Sequence, residues 1–234
     1  MYLTKYIAHA GLCSRRKALE LIKQGLIQVN SKVETDPAYL VQPNDQVQYK
    51  STLLNIIKKP IYILLNKPTD CLSSCADLQG RATVLDYVQV PEARLYPIGR
   101  LDKQTTGVLL ITNDGQLAYT LSHPRFEVPK IYAVTLDKPF KQLDATRLRM
   151  GIELEDGFIV VDQIKVDKRN AKQVVVHLHS GRNRIVRRMF AHLGYHVQAL
   201  DRISFAGITH KGLKQGKWRF LTATEIQVLR LLKK

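Results

Sequence analysis

A continuous apolar run, residues 108–111, is the feature that most constrains how this chain folds. Because the run does not alternate with polar residues, it predicts a strand buried on both faces, inside a sheet that is covered on both sides. The loop before this strand is bounded by glycines and contains one acidic residue, Asp102. A carboxylate on a loop against a buried strand is partly desolvated and fixed in direction. Asp102 is therefore a candidate nucleophile or general base, although an aspartate in a loop more often stabilises a turn.

Apolar patterns and turn signals predict a series of strands and helices around this strand. The expected strands are 61–68, 95–98, 131–136, 158–166, 172–179 and 196–204, and the expected helices are 114–122, 141–150, 184–193 and 223–232. Strands outnumber helices, and short turns join several of them. The pattern is typical of an α+β domain with a mixed, mostly antiparallel sheet.

The first fifty residues form a pattern of their own. A helix is predicted over 15–24, with Ser14 as its candidate N-cap, and short strands follow it. One side of this helix is apolar, and the other side is basic and includes Arg15, Arg16 and Lys17. A basic helix face of this kind fits the phosphates of an RNA.

The chain of 234 residues, 45% of them hydrophobic, is long enough for two domains. Residues 51–59 combine polar residues with lysines and precede a proline, which is typical of a linker. We therefore expect a small domain over 1–50 and a larger domain over 60–234.

The net charge of +16 is large and unevenly distributed. From residue 163 onward, 16 lysines and arginines stand against three acidic residues. Positive side chains that are clustered in this way repel one another unless an anion is near. The clustering therefore favours a polyanionic partner, such as nucleic acid, over the alternative that the charge only keeps the protein soluble.

Several classes of protein are disfavoured. The three cysteines are an odd number, which argues against a disulfide framework, and Cys71-x-x-x-Cys75 has no second Cys/His pair at zinc-finger spacing. No apolar run is long enough to span a membrane, and the N-terminus lacks a signal-peptide pattern. We expect a cytoplasmic protein that needs no metal or other cofactor. A monomer is expected because no coiled-coil heptads are evident.

Three motifs of the larger domain resemble those of a known family. Residues 99–115, GRLDKQTTGVLLITNDG, resemble the signature of the rRNA pseudouridine synthases of the small-subunit and large-subunit type. Residues 130–132, Lys-Ile-Tyr, and 181–189, GRNRIVRRM, resemble two further motifs of that family, and residues 12–30 resemble an S4 RNA-binding domain. The resemblance covers nearly the whole chain. It implies an S4-like domain followed by a pseudouridine-synthase-like catalytic domain.

The resemblance also implies roles for individual residues. Asp102 is the expected catalytic group, Tyr132 is expected to stack on the detached uracil, and Arg187 is expected to pair with Asp102. Contacts with the substrate or the rest of the RNA are expected from Arg100, Lys130, Arg182, Arg184, Val186 and Arg188, and from Arg15, Arg16 and Lys17. On a predicted helix over 184–193, the three basic residues 184, 187 and 188 share one face.

The implied activity is the isomerisation of a uridine to pseudouridine in ribosomal RNA, with the base flipped out of its stack. Asp102 can attack the ribose C1′ or deprotonate the sugar to a glycal, and the sequence leaves both routes open. Residues 151–157 and 207–221 favour large-subunit over small-subunit rRNA as the substrate, because they resemble large-subunit enzymes.

Two other functions compete with this interpretation. A non-catalytic RNA-binding or ribosome-assembly protein could share the fold and the charge, but it would not need Asp102, Tyr132 and Arg187 together. A nuclease would need paired carboxylates for metal ions, and Asp102 has no acidic neighbour before Asp114.

Overall fold

The computed structural model describes residues 1–56, 59–90 and 94–232, which form two compact units. Unit 1 comprises Met1–Pro60 with Val90–Arg94, and unit 2 comprises Ile61–Gln89 with Leu95–Lys234. Each unit has an apolar core of its own. Residues 57 and 58, within the segment predicted as a linker, lie outside the described residues.

Unit 1 consists of two helices and a four-stranded antiparallel sheet with the strand order β2-β1-β3-β4. Its elements are α1 (Leu3–His9), α2 (Arg15–Lys23), β1 (Ile27–Val29), β2 (Lys32–Val33), β3 (Val47–Tyr49) and β4 (Thr52–Leu53). Ser14 caps α2 as predicted, because its Oγ accepts a hydrogen bond from the Lys17 backbone N–H at 3.1 Å. Strand β4 falls in the segment predicted as a linker, so that segment begins inside the sheet of unit 1.

Unit 2 contains the remaining elements in chain order. They are β5 (Tyr62–Lys67), β6 (Tyr96–Pro97), β7 (Thr105–Thr112), α3 (Gly115–Ser122), β8 (Lys130–Leu136), α4 (Gln142–Met150), β9 (Ile152–Leu154), β10 (Gly157–Ile159), β11 (Gln163–Val166), β12 (Gln173–Leu178), α5 (Ile185–His192), β13 (Val197–Phe205), β14 (Ile208–Thr209), β15 (Trp218–Phe220) and α6 (Ala223–Leu231). Most of these elements agree with the sequence prediction.

A nine-stranded sheet forms the centre of unit 2. Its main strand order is β11-β12-β8-β13-β7-β5-β15, with β14 beside β13 and β6 beside β7. Strands β13 and β7 run parallel, and the other pairs of this sheet are antiparallel. This confirms the predicted α+β class with a mixed, mostly antiparallel sheet.

Strand β7 contains the apolar run from which the fold was predicted. Residues 108–111 are at most 1% exposed. Val108 and Leu110 pack in a cluster with Leu117 of α3 and Leu229 of α6, which cover one face of the sheet. Leu109 of the opposite face is also fully buried, so both faces of β7 are covered, as the continuous run predicts.

Two predicted elements were wrong in detail. The strand predicted over 158–166 is split, because β10 pairs with β9 in a separate hairpin while β11 pairs with β12. Between them, the Val161 N–H donates to the Leu148 carbonyl at 3.2 Å, which takes the backbone out of the ladder. The helix predicted from 184 begins at Ile185, because Arg184 has the left-handed conformation, with φ of 47°, and is the N-cap.

Gly107 allows β7 and β13 to approach closely, and we expect Gly107→Ala to destabilise unit 2 by about 2–5 kcal/mol. An added Cβ would lie 2.4 Å from the Arg202 carbonyl oxygen and 2.5 Å from an Asp201 carboxylate oxygen. The φ of +104° adds about 1–2 kcal/mol of backbone strain, and overpacking costs roughly 1–3 kcal/mol. Gly157, with φ of +102° and no atom near its Cβ position, is the matched control. Urea unfolding of both alanine variants measures the difference, and equal losses would contradict the steric argument.

Candidate active site

A cavity of about 120 Å³ lies where the Asp102 loop, the start of β8, β13 and the start of α5 meet. An apolar cavity of roughly 150 Å³ holds one benzene ring, so this cavity has the scale of a single six-membered ring. Its lining includes Gly99, Arg100, Leu101, Asp102, Thr105, Lys130, Tyr132, Gly181, Arg182, Arg184, Ile185, Val186, Leu200, Arg202 and Phe205. The sequence motifs around residues 99–115, 130–132 and 181–189 therefore meet in one place.

The side chain of Lys67 fixes the loop that contains Asp102. Lys67 ends strand β5 and is fully buried. Its Nζ donates to the carbonyl oxygens of Pro68 (2.9 Å), Asp102 (3.2 Å), Lys103 (3.3 Å) and Thr105 (3.0 Å). Burial lowers the pKa of Lys67. The loop backbone is thus hydrogen-bonded to the sheet through one ammonium group.

The carboxylate of Asp102 is 26% exposed and lies next to an arginine other than the predicted one. Arg184 Nη1 is 3.8 Å from Asp102 Oδ2, because the left-handed N-cap lies beside the cavity. Arg187 lies inside α5 and instead donates to the carbonyl oxygens of Val197 (2.9 Å) and Gln104 (3.2 Å). In this structure the ion-pair contact of Asp102 is therefore with Arg184, while the charge of Asp102 also acts on Arg187, and the pairing of Arg187 with Asp102 stays a prediction. Arg187 connects α5 to β13 and to the Asp102 loop, and burial lowers its pKa.

Apolar side chains form the remaining walls of the cavity. Tyr132, on β8, is 8% exposed and lines the cavity together with Val186, at the start of α5. Leu200 and Phe205 of β13 add further apolar surface. A planar aromatic ring in such a wall can stack on a nucleobase, and apolar neighbours exclude water from it.

Two cationic side chains lie against the apolar part of the cavity. Lys130 Nζ donates to main-chain carbonyl oxygens, and burial together with the charge of Arg202 lowers the pKa of Lys130 to about 8. Arg202 is 3% exposed, its Nε donates to the Val108 carbonyl at 2.9 Å, and its guanidinium lies 4.6 Å from the Phe205 ring centroid. Its buried Nη2 has no hydrogen-bond partner among the described residues.

Sequence reasoning assigned no role to Lys67, Arg202 or Phe205. Signals for the two basic residues were present, because Lys67 closes a strand of buried apolar residues and Arg202 lies within a predicted strand. A cationic side chain in a buried strand needs hydrogen-bond acceptors or anions nearby to offset the loss of water. The sequence did not show which carbonyl groups supply those partners.

A wider groove, of about 590 Å³, adjoins the cavity and shares Asp102 with it. Four of its lining residues are basic, namely Arg100, Lys103, Arg182 and Arg184. Oxygen atoms of a phosphodiester backbone match such a set of cationic donors. The groove can therefore bind the strand on either side of a nucleotide that occupies the cavity.

An acidic hairpin neutralises part of the third motif. Arg188 donates to both carboxylate oxygens of Asp156 in the β9–β10 turn, with Nη1 2.8 Å from Oδ2. This pairing lowers the pKa of Asp156. Arg182 lies 3.7 Å from the same carboxylate and donates to the Gly157 carbonyl at 2.9 Å. Arg188 and Arg187 do not line the cavity or the groove, unlike the other predicted site residues of unit 2.

Three further observations concern the rest of the described chain. Arg15, Arg16 and Lys17 are exposed on α2 of unit 1. No group of three or more His, Cys, Asp or Glu side chains in the described residues is arranged to hold a metal ion. Among the described helices, none is both long enough and apolar enough to cross a membrane.

Lys67→Met is expected to destabilise unit 2 by at least about 2 kcal/mol. The substitution removes a charged donor from four carbonyl oxygens, of which those of Asp102 and Lys103 keep a backbone N–H donor. A hydrogen bond to a charged group contributes roughly 1.5–3 kcal/mol. The exposed Lys103, whose Nζ lies 3.5 Å from Asp70, is the matched control, and Lys103→Met should change stability by less than about 0.5 kcal/mol. Urea unfolding provides both values. Similar values for the two variants would show that the four carbonyl contacts do not stabilise the loop.

Two family models match the sequence. The model described as RNA pseudouridylate synthase matches residues 61–192, more than half of the chain, and the model described as S4 domain matches residues 3–47. These ranges correspond to the catalytic and RNA-binding resemblances found in the sequence.

Individual proteins agree with the family models. The chain is 41% identical to the ribosomal large subunit pseudouridine synthase B of Bacillus subtilis, over 98% of this chain and 96% of that protein. It is 34% identical to the dual-specificity RNA pseudouridine synthase RluF of Escherichia coli, over 96% of this chain and 76% of that protein. A crystal structure of a pseudouridylate synthase aligns with a TM-score of 0.70 at 31% identity, over 98% of this chain and 99% of that one.

Proposed function

The chain belongs to the family of RNA pseudouridylate synthases, and from this membership we propose that it isomerises a uridine of large-subunit ribosomal RNA with Asp102 as the catalytic group. One observation supports the proposal most directly. The Asp102 carboxylate lies in a ring-sized cavity that adjoins a groove with four basic side chains. The name of the Bacillus relative supports the choice of subunit.

In the proposed reaction, the target uridine leaves its stack and its base enters the cavity. Unstacking costs a few kcal/mol, less in a loop or bulge than in a duplex. Tyr132 stacks on the base and Val186 covers its edge, while Arg100, Arg182 and Arg184 contact neighbouring phosphates.

The chemistry breaks the N1–C1′ bond, rotates the uracil and forms a C5–C1′ bond. Asp102 assists the first step, either by attack on C1′ or by removal of a sugar proton to give a glycal. Arg184 balances the charge of the Asp102 carboxylate, and Arg187 acts as a positioning residue through the Gln104 carbonyl. The isomerisation is redox-neutral and conserves every atom, so these groups suffice without a cofactor.

Asp102→Asn is expected to abolish pseudouridine formation, with a loss of at least about 10²–10⁴-fold. The substitution keeps the shape of the side chain but removes its charge and nucleophilicity. A site-resolved pseudouridine map of both rRNA subunits, after incubation with each protein, measures the result. Asp167→Asn is the control, because Asp167 lies in an exposed turn that asparagine also stabilises.

We expect one new pseudouridine in large-subunit rRNA with the wild type and with Asp167→Asn, and none with Asp102→Asn. Modification by all three proteins would remove Asp102 from the mechanism. A site in small-subunit rRNA would refute the proposed subunit. RNA binding without modification by the wild type would favour the alternative, a non-catalytic RNA-binding or assembly protein.

The basic side of α2 is proposed to bind RNA phosphates. Arg15 and Arg16 are exposed and form no ion pair within the described part of the chain, so their charges are expected to dominate. Lys17 differs from them because its Nζ forms an ion pair with Glu20 at 2.9 Å. Arg15→Ala with Arg16→Ala should reduce the slope of log affinity against log salt by about 1.4–1.8, whereas Lys17→Ala should change it less than a single arginine substitution does. Fluorescence anisotropy with an rRNA fragment at several salt concentrations measures the slopes. An unchanged slope in the double variant would exclude this face from the interface.

A further inference from the structure

The Lys130 ammonium differs in its hydrogen bonds from a lysine that simply contacts a phosphate. Its Nζ donates to the carbonyl oxygens of Val128 at 2.7 Å and His179 at 2.8 Å, and the side chain lines the cavity. These two bonds use two of the three N–H positions of the amine. The third position holds a proton in the charged form and a lone pair in the neutral form.

The surroundings of Lys130 both lower and raise the pKa of its ammonium group. Burial has the largest effect, and the guanidinium of Arg202 on β13 adds to it, so that the pKa of Lys130 falls from 10.5 to about 8. Asp162 opposes this change, but its carboxylate is already 2.9 Å from the imidazole of His179. The other charged residues that line the cavity are Arg100, Asp102, Arg182 and Arg184. With a pKa of about 8, roughly one tenth of the Lys130 side chains are neutral amines at pH 7.

We propose that Lys130 is the base that removes the C5 proton of the rotated uracil, an inference that rests on the proposed function. Once the C5–C1′ bond has formed, C5 holds both a hydrogen and the ribose carbon. Nζ takes that proton with its lone pair, and the C5–H electrons form the C5–C6 double bond. The electrons of the former C6–N1 double bond remain on N1, which takes a proton from water or from the new ammonium. The net change is one proton moved from C5 to N1, as the isomerisation requires.

The location of Lys130 suits this step better than the RNA contact predicted from the sequence. Both carbonyl acceptors orient Nζ, and the same cavity contains Tyr132, on which the base would turn. A positioned general base contributes roughly 10²–10⁴-fold to a rate, and it is most efficient when its pKa is near the working pH. Because the neutral amine is the active form, the rate of the C5 step should rise with pH through about 8.

Lys130→Arg tests the proposal, because arginine keeps the charge and the hydrogen-bond donors but cannot lose a proton near neutral pH. We expect pseudouridine to form at least about 100-fold more slowly in a single turnover. We also expect a C5-deuterium isotope effect larger than in the wild type, because removal of that proton becomes rate-limiting. An RNA with 5-fluorouridine at the target has no C5 proton, so its C5–C1′ bond should form at the wild-type rate. Lys172→Arg, at an exposed lysine, is the control.

A second variant is needed in case the larger arginine side chain disturbs the cavity. Lys130→Ala should be rescued by ethylamine in proportion to the free-amine concentration, while its thermal unfolding by circular dichroism reports whether it is folded. Equal slowing of uridine and 5-fluorouridine without an isotope effect would overturn the proposal, as would full activity of Lys130→Arg. Failure of the wild type to form pseudouridine would instead refute the proposed function.

Discussion

The buried ammonium of Lys67 is the interaction on which the candidate site depends. Moving a cation out of water is expensive, and the four carbonyl oxygens around Nζ offset that cost together with the charges of Asp102 and Asp70. Lys67 faces Gly107 across the β5–β7 pairing, so the group that fixes the loop belongs to the central sheet. Asp102 is thereby placed by a rigid element rather than by the loop itself. A reacting group held in this way does not need to be ordered when the substrate binds.

The charges of the cavity match the proposed sequence of intermediates. The cavity contains one carboxylate, that of Asp102, together with one exposed and one buried arginine. Arg184 lies at the mouth and is half exposed, whereas Arg202 lies beneath the apolar wall. Cleavage of the glycosidic bond leaves negative charge on the detached uracil, and a fixed, buried cation stabilises such charge more strongly than water-exposed groups do. In this scheme Lys130 removes the proton of C5, and the charge of Arg202 lowers the pKa of Lys130.

Most of the fold followed from local sequence, because the decisive signals are local. The continuous run in β7 and the cap Ser14 each predict an element that the structure contains. The strand over 158–166 was wrong because of a contact between distant residues, the hydrogen bond from Val161 to Leu148. No sequence pattern predicts the left-handed conformation of Arg184. Likewise, the motif 181–189 identified the basic residues of the site but not their partners, since a pairing depends on backbone directions that no spacing encodes. The site assignments thus owed more to family resemblance than to pattern.

The arginines of the third motif contribute unequally to the free positive charge of the chain, whose net charge is +16. Within the third motif, Arg188 is neutralised by Asp156 and Arg187 is bound to main-chain carbonyl groups, so the fold itself uses these two charges. Arg184 remains at the groove, where a phosphate lowers the repulsion from its neighbours. RNA affinity therefore depends on fewer residues than the composition suggests. Removing Asp156 would therefore raise the net charge by one and free the guanidinium of Arg188, at the cost of the ion pair that joins α5 to the β9–β10 turn.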